Sequence, residues 1–190
     1  WNVGAEGQFH MGAFAAAWVA LSMPNAPSWQ VLPLMVLAGM AAGAFWALLP
    51  GVPRAYLGVN EIITTLLLNY VAIYWVEYLV HGPWRDPVSL NFPLSAPFSS
   101  AARLPSLFGT RIHMGLVFAL VAAGLIWFAL GRTKWGYEVT VIGENPRAAR
   151  YAGMNIERNI VLTMCLAGAL AGLGGMAEVS AIAGRMTRQL

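Results

Sequence analysis

Apolar residues fill five stretches of the chain that are each long enough for a membrane-spanning helix. A hydrocarbon core about 30 Å thick is crossed by about 20 mostly apolar residues in a helix. The second and fourth stretches contain no Asp, Glu, Lys or Arg, whereas the others include some polar positions. The predicted spans are residues 3–21, 31–49, 59–80, 113–131 and 159–182.

This pattern predicts an all-α fold, a polytopic transmembrane helix bundle. No segment shows the alternation over about ten residues that is typical of a membrane barrel strand. Gly39 and Gly43 stand four residues apart, as do Gly168 and Gly172. Each pair therefore shares one helix face on which a second backbone can approach closely, which indicates helix packing.

The composition excludes several other classes of protein. Of the 190 residues, 58% are hydrophobic and 10% are charged, unlike a soluble or disordered domain. The net charge of +3 comes without a basic run, so we expect no nucleic acid partner. Because the chain opens at Trp1 without an initiator Met and closes abruptly at Leu190, we interpret 1–190 as one transmembrane domain from a longer chain.

Basic residues predict the orientation in the membrane. The loop at 132–158 holds five of them, and the loop at 50–58 adds Arg54 on the same side. The opposite side also holds five, with Arg185 and Arg188 counted there. Cytoplasmic loops are enriched in Lys and Arg, so the margin of six to five places 132–158 in the cytoplasm.

The opposite loop, 81–112, is rich in proline, which makes long helices unfavourable there. It is either a capping or partner-docking segment or a plain connector. Its prolines are Pro83, Pro87, Pro93, Pro97 and Pro105.

The cytoplasmic loop contains signals for a short helix over 146–152. Asn145 can accept hydrogen bonds from the first free backbone N–H groups, and Pro146 has the φ suited to the first helical position. Gly153 supplies the left-handed residue that ends such a helix. A helix of about two turns is unstable alone in water and must dock on something.

The sequence is compatible with two docking sites for this short helix. Its small residues suit a groove on another protein, or the helix lies against its own bundle. The residues concerned are Ala148, Ala149 and Ala152, with Tyr151 beside them.

Polar residues interrupt the third span along one side. Glu61, Thr65 and Asn69 recur every four residues and form a stripe, with Asn60 and Thr64 beside it. An ionisable group within a span is a functional candidate. The stripe either binds substrate hydroxyls or nucleobase edges, or it hydrogen-bonds neighbouring helices.

The first span also begins with polar residues, Asn2, Glu6 and Gln8, and with two glycines that weaken a helix. The segment predicts a broken helix whose free backbone groups form a transport site, or else it marks the membrane boundary.

Catalytic and nucleotide-binding motifs are missing from the sequence. The single lysine, Lys134, precedes a tryptophan, so the chain has no P-loop and is not an ATPase. His10, His81 and His113 are too scattered for a metal pair, and no Ser/His/Asp arrangement stands out. We expect no catalytic residue, metal or cofactor in this chain.

Three separated blocks are similar, in the family's order, to the permease subunit of bacterial ABC importers. They resemble the branch for nucleosides and simple sugars, which is related to the branched-chain amino acid permeases. The blocks are NVGAEGQFHMGAFAAAWVAL, LGVNEIITTLLLNYVAIYWVEYLVHGPWRDP and GYEVTVIGENPRAARYAGMNIERNIVLTMCLAGALAGLGGMAEV.

This resemblance implies a multi-pass plasma-membrane protein in the lipid bilayer with three kinds of protein partner. A second permease subunit, identical or different, completes the pathway, and an extracytoplasmic binding protein delivers the substrate. ATP is bound by separate ATP-binding subunits, on which the GENPRAARYAGM segment rests. The expected coupling residues are Gly143, Glu144, Asn145, Pro146, Ala148, Ala149, Tyr151 and Gly153.

The substrate-path candidates come from the residues alone, since the resemblance does not say which atoms touch substrate. They are Glu61, Thr65, Asn69, Asn60 and Thr64, followed by Asn2, Glu6 and Gln8. The alternative function is an ion-coupled carrier or channel in which Glu61 and Glu178 carry protons.

Overall fold

The computed structural model describes residues 2–90, 92–107, 109 and 112–187. This part of the chain is helical apart from loops and three isolated bridges, which confirms the all-α prediction. A 3-10 turn lies at Ser100–Ala102 and a π-helical turn at Val179–Ala183. The α-helices are α1 (Ala5–Ser22), α2 (Ser28–Leu57), α3 (Glu61–His81), α4 (Gly115–Arg132), α5 (Lys134–Glu144), α6 (Pro146–Tyr151) and α7 (Ile156–Glu178).

Each predicted span corresponds to a long helix. Helices α2, α3, α4 and the continuous stretch Ile156–Ala183 are long and apolar enough to cross a membrane. Helix α1 is not among them, because it carries the polar residues Glu6, Gln8 and His10. Since Gln8 and His10 are buried, α1 is shielded by the other helices. The basic residues Arg111 and Arg188, used for the orientation, lie outside the described residues.

Helices α1, α2 and α7 cross at a glycine junction, formed by Gly12, Gly39, Gly43, Gly168 and Gly172. A Cβ atom on Gly43 would lie 2.9 Å from the Cα of Gly172, and one on Gly172 would lie 3.1 Å from the Cα of Gly43. Real Cβ atoms essentially never lie within 3.0 Å of a backbone atom and rarely lie as close as 3.1 Å, so only glycine fits without a shift of the helices. The packing predicted from the two glycine pairs is confirmed, and the pairs contact each other.

The predicted break in the first span is wrong. Helix α1 begins at Ala5 and runs without interruption to Ser22. A Cβ on Gly4 would lie 2.6 Å from Thr65 Cβ, and one on Gly7 would lie 2.8 Å from Asn69 Oδ1. The glycines allow α1 to approach α3 closely, and this contact offsets their low helix propensity.

The proline-rich segment lies over one end of the bundle, which supports the capping interpretation of 81–112. Phe98 and Leu104 belong to the hydrophobic core. The buried Ser180 hydroxyl donates to the Ala102 carbonyl oxygen at 2.6 Å and accepts from the Leu104 N–H at 3.2 Å. No long helix forms in the described residues of this segment, as its prolines predict.

The opposite end of the bundle carries two helices where one was predicted. Helix α5 lies within the predicted loop 132–158, and the Thr133 hydroxyl caps its start by accepting from the Gly136 N–H at 3.2 Å. Val139 and Ile142 of α5 face a cleft against α2, α3 and α7. We call this part of the molecule the α5–α6 end.

Candidate coupling segment and substrate path

The local signals around Asn145 produce the predicted short helix. Asn145 Oδ1 accepts hydrogen bonds from the N–H groups of Arg147 and Ala148, both at 3.1 Å. Pro146 occupies the first turn, and Gly153 has a φ of +77°. Helix α6 ends one residue earlier than predicted, at Tyr151.

The small residues of α6 do not form one free face, so that part of the prediction is wrong. Ala149 is fully buried, whereas Ala148 and Ala152 are exposed and Tyr151 is 95% exposed. Successive helical residues point about 100° apart, so Ala149 faces the protein while Ala148 faces outward. Helix α6 therefore docks on its own chain and still presents an outer surface.

One local contact and one ion pair fix the position of the candidate coupling segment, residues 143–153, which we call the coupling segment. The Met154 N–H donates to the Ala149 carbonyl oxygen at 3.0 Å. An ion pair of 3.2 Å joins Arg150 Nη2 of α6 to Glu157 Oε1 of α7. Gly143 and Glu144 are exposed at the end of α5. The segment is exposed except at Ala149, and its helix α6 contacts both α5 and α7.

Glu61 lies at the α5–α6 end of the bundle. Its Oε2 is 3.1 Å from Arg54 Nε, across the turn between α2 and α3. Both side chains line a cleft of about 360 Å³ whose other wall includes Val139 and Gly143 of α5. The carboxylate is therefore an ion-pair partner beside the coupling segment.

Thr65 and Asn69 lie in the contact between α3 and α1. Asn69 Oδ1 accepts from the Gly7 N–H at 2.8 Å, and its Nδ2 donates to the Val3 carbonyl oxygen at 3.0 Å. The Thr65 hydroxyl donates to the Ile62 carbonyl oxygen at 3.2 Å. These contacts agree with the helix-packing alternative, and the role in substrate binding stays a prediction.

The remaining path candidates form local hydrogen bonds. Asn60 caps α3 by accepting from the Ile62 N–H at 3.0 Å, and the Thr64 hydroxyl donates back to the Asn60 carbonyl oxygen at 3.1 Å. The amides of Asn2 and Gln8 pair reciprocally, at 2.7 and 3.1 Å. Glu6 is exposed near the start of α1.

Sequence reasoning missed a polar contact between α5 and α7. Asn159 is 4% exposed, and its Nδ2 donates to Glu138 Oε2 at 3.0 Å and to the Asn155 carbonyl oxygen at 2.9 Å. The polar Asn159 at the start of an apolar span was a signal for it. Together with the pair Arg150 and Glu157, this contact ties the α5–α6 end to α7.

Replacing Asn69 by leucine is expected to destabilise the bundle. The change leaves the Gly7 N–H and the Val3 carbonyl without their partner, at a cost of about 2 kcal/mol. Thermal unfolding of the detergent-purified protein measures this, with the exposed Asn25→Leu as the matched control. Equal unfolding temperatures for the two variants would contradict the packing role.

A bundle of long apolar helices with a fixed helical segment at one end is the architecture of a multi-pass membrane protein. A family model described as a branched-chain amino acid transport system permease component matches residues 1–187. The chain belongs to this family of transport permeases.

Several relatives are named as permease proteins of ABC transporters. The chain is 44% identical over 195 residues to a glucose ABC transporter permease of Haloferax volcanii, covering 97% of this chain and 51% of that protein. It is 33% identical over 183 residues to a nucleoside ABC transporter permease of Lactococcus lactis, covering 92% and 50%. It is 34% identical over 181 residues to a guanosine ABC transporter permease of Bacillus subtilis, covering 93% and 51%.

The chain spans about half the length of the curated relatives it matches. No solved structure gives a significant match.

Proposed function

We propose that this chain is the membrane-spanning part of the permease subunit of an ATP-driven importer. The substrate is a small polyhydroxylated solute, a sugar or a nucleoside. Three relatives named for glucose, nucleosides and guanosine support this substrate class, and each aligns over at least 92% of the chain.

The coupling segment is the observation that carries the proposal. A helix of six residues is too short to be stable alone, yet α6 is capped, docked through Ala149 and paired to α7. Its outer side presents Tyr151, which is 95% exposed. A fixed short helix with an exposed aromatic side chain suits docking into a groove on a separate ATP-binding subunit.

Movement of the ATP-binding subunits reaches the membrane through α7. The pairs Arg150 with Glu157 and Glu138 with Asn159 fix α6 and α5 to its first turns. Helix α7 then crosses α1 and α2 at the glycine junction, where close backbone contact leaves little room for independent motion. Movement of the ATP-binding subunits thereby shifts the equilibrium of the bundle between an outward-open and an inward-open state.

The complete importer contains further partners. A second permease subunit completes the pathway, and an extracytoplasmic binding protein delivers the substrate. ATP is bound and hydrolysed in the separate ATP-binding subunits, and the coupling segment faces the cytoplasm. The kinship with ABC transporter permeases supports each of these assignments.

The ion-coupled carrier is the weaker candidate. Glu61 pairs with Arg54 at the end of the bundle, and Glu178 ends α7 at the opposite end. A proton relay needs groups that exchange protons within the membrane, and these two carboxyl groups are separated by the length of α7. The kinship with ABC transporter permeases supports the importer and not the carrier.

The substitution Tyr151→Ala in the full-length complex tests the proposal. We expect loss of ATP-binding subunit from the purified complex and a fall in uptake of about tenfold, because an aromatic anchor contributes about 1.4 kcal/mol or more. Tyr78→Ala is the control. Tyr78 is also exposed, at 63%, but it lies near the end of α3 that is farther from the α5–α6 end.

Two outcomes would contradict the proposal. One is a Tyr151→Ala complex that keeps its ATP-binding subunit and its uptake rate. The other is uptake of glucose or guanosine by the unmodified protein that survives ATP depletion and collapses with the ion gradient.

A further inference from the structure

An apolar groove on the outer surface of α4 and α7 adjoins a polar cleft at the α5–α6 end. The groove has a volume of about 560 Å³ and the cleft about 410 Å³. Trp135 and Arg158 line both of them, so the two volumes are neighbours. The apolar walls of the groove include Leu125, Ile126, Phe128, Leu162 and Leu166.

The groove matches one lipid leaflet in length. Arg158, Leu162 and Leu166 recur every four residues and share one face of α7, which spans about 12 Å at about 1.5 Å per residue. Half of a hydrocarbon core about 30 Å thick is about 15 Å. The side chains are accessible, since Leu162 is 41% and Leu125 is 64% exposed. One acyl chain fits this groove from the interface toward the bilayer centre.

The end of the groove is basic. Arg158 and Lys134 line the cleft together with the single carboxylate of Glu138, and the exposed Arg132 ends α4 two residues before Lys134. Among the residues that the structure describes, neither arginine forms an ion pair, and Lys134 lies a distant 4.0 Å from Glu138 Oε1. Cations at the ends of membrane helices attract lipid phosphate groups.

Two buried polar atoms in the walls of the cleft have no hydrogen-bond partner in the described part of the chain. Asn159 Oδ1 is an acceptor without a donor, and Trp135 Nε1 is a donor without an acceptor. The Asn159 amide is fixed in this orientation because its Nδ2 donates to two oxygens. Both atoms are enclosed by protein and closed off from solvent, so they do not contribute to binding in the cleft.

We propose that the groove and cleft bind one glycerophospholipid. Its phosphate lies against Arg158 and Lys134, and one acyl chain follows the groove between α4 and α7. This inference depends on the membrane location of the protein and is independent of the proposed ATP-binding subunit.

Native mass spectrometry of the full-length protein tests the site, after reconstitution with phosphatidylethanolamine, phosphatidylglycerol or phosphatidylcholine. We expect Arg158→Gln and Lys134→Gln each to weaken retention of all three lipids by about fivefold, the effect of one interfacial cation on the phosphate that they share. Arg147→Gln removes an exposed arginine from the same end that lines neither volume, and it should leave retention unchanged.

Equal retention by the Arg158 and Lys134 variants and the unmodified protein would overturn the proposal. It would mean that the groove is empty or covered by another part of the full-length protein. An equal loss in Arg147→Gln would also overturn it, since only general charge would then matter.

Discussion

Replacing Gly172 by alanine is expected to destabilise the protein by about 3 kcal/mol, at the upper end for overpacked sites. The new Cβ would meet the carbonyl oxygen of Gly39 and lie 3.1 Å from the Cα of Gly43. These are backbone atoms, so the clash is relieved only if α7 moves away from α2. Thermal unfolding of the purified full-length protein measures the loss, and size-exclusion chromatography shows whether the bundle still assembles.

Gly124→Ala is the matched control, because it makes the same chemical change in a membrane helix without a clash. Within the described part of the chain, a Cβ on Gly124 would meet no atom within 4 Å. The higher helix propensity of alanine should leave the stability unchanged or raise it by up to about 1 kcal/mol. Equal effects of the two substitutions would show that the glycine junction contributes nothing specific.

The second large effect is expected from Ala149→Glu, which places a carboxylate at a fully buried position. Burying an unpaired charge is so costly that α6 should leave its place on the bundle instead. We expect ATP hydrolysis and substrate uptake to become uncoupled, with a fall in uptake of at least about tenfold. Limited proteolysis should then cleave near Arg147 and Arg150, which the docked helix protects in the unmodified protein.

The substitution Ala148→Glu distinguishes a role of α6 in docking on a partner from a role in packing within its own chain. Ala148 is exposed, so this substitution should change stability by less than about 0.5 kcal/mol and leave α6 resistant to proteolysis. Its uptake should nevertheless fall, because the outer side of α6 faces the ATP-binding subunit under the proposed function. If Ala149→Glu reduces uptake and Ala148→Glu does not, α6 supports the bundle without contacting a partner.

Local signals predicted α6 well and α5 poorly. The cap at Asn145, the proline after it and the left-handed Gly153 act within a few residues, so they can be recognised without knowing the fold. Helix α5 has a similar cap at Thr133, but its two glycines and mixed composition give a weak helical pattern. Its packing against α7, through Glu138 and Asn159, supplies the missing stabilisation.

The polar residues show a different limit of sequence analysis. The spacing of Thr65 and Asn69 placed them on one side of α3, but an amide can serve a substrate or a neighbouring helix equally well. The partner groups, the Gly7 N–H and the Val3 carbonyl, lie more than sixty residues away in the chain. Only the approach of α1 to α3 reveals them.

The sequence by itself determined the helical membrane fold, the short helix α6 and the resemblance to transport permeases. These follow from hydropathy, cap residues and motifs, which depend only on the order of residues along the chain. Only the tertiary structure decided that Ala149 is buried, that the glycine pairs meet at one junction and that α1 is unbroken. Each of these depends on which distant helix lies alongside, because close packing is decided by surfaces that the fold brings together.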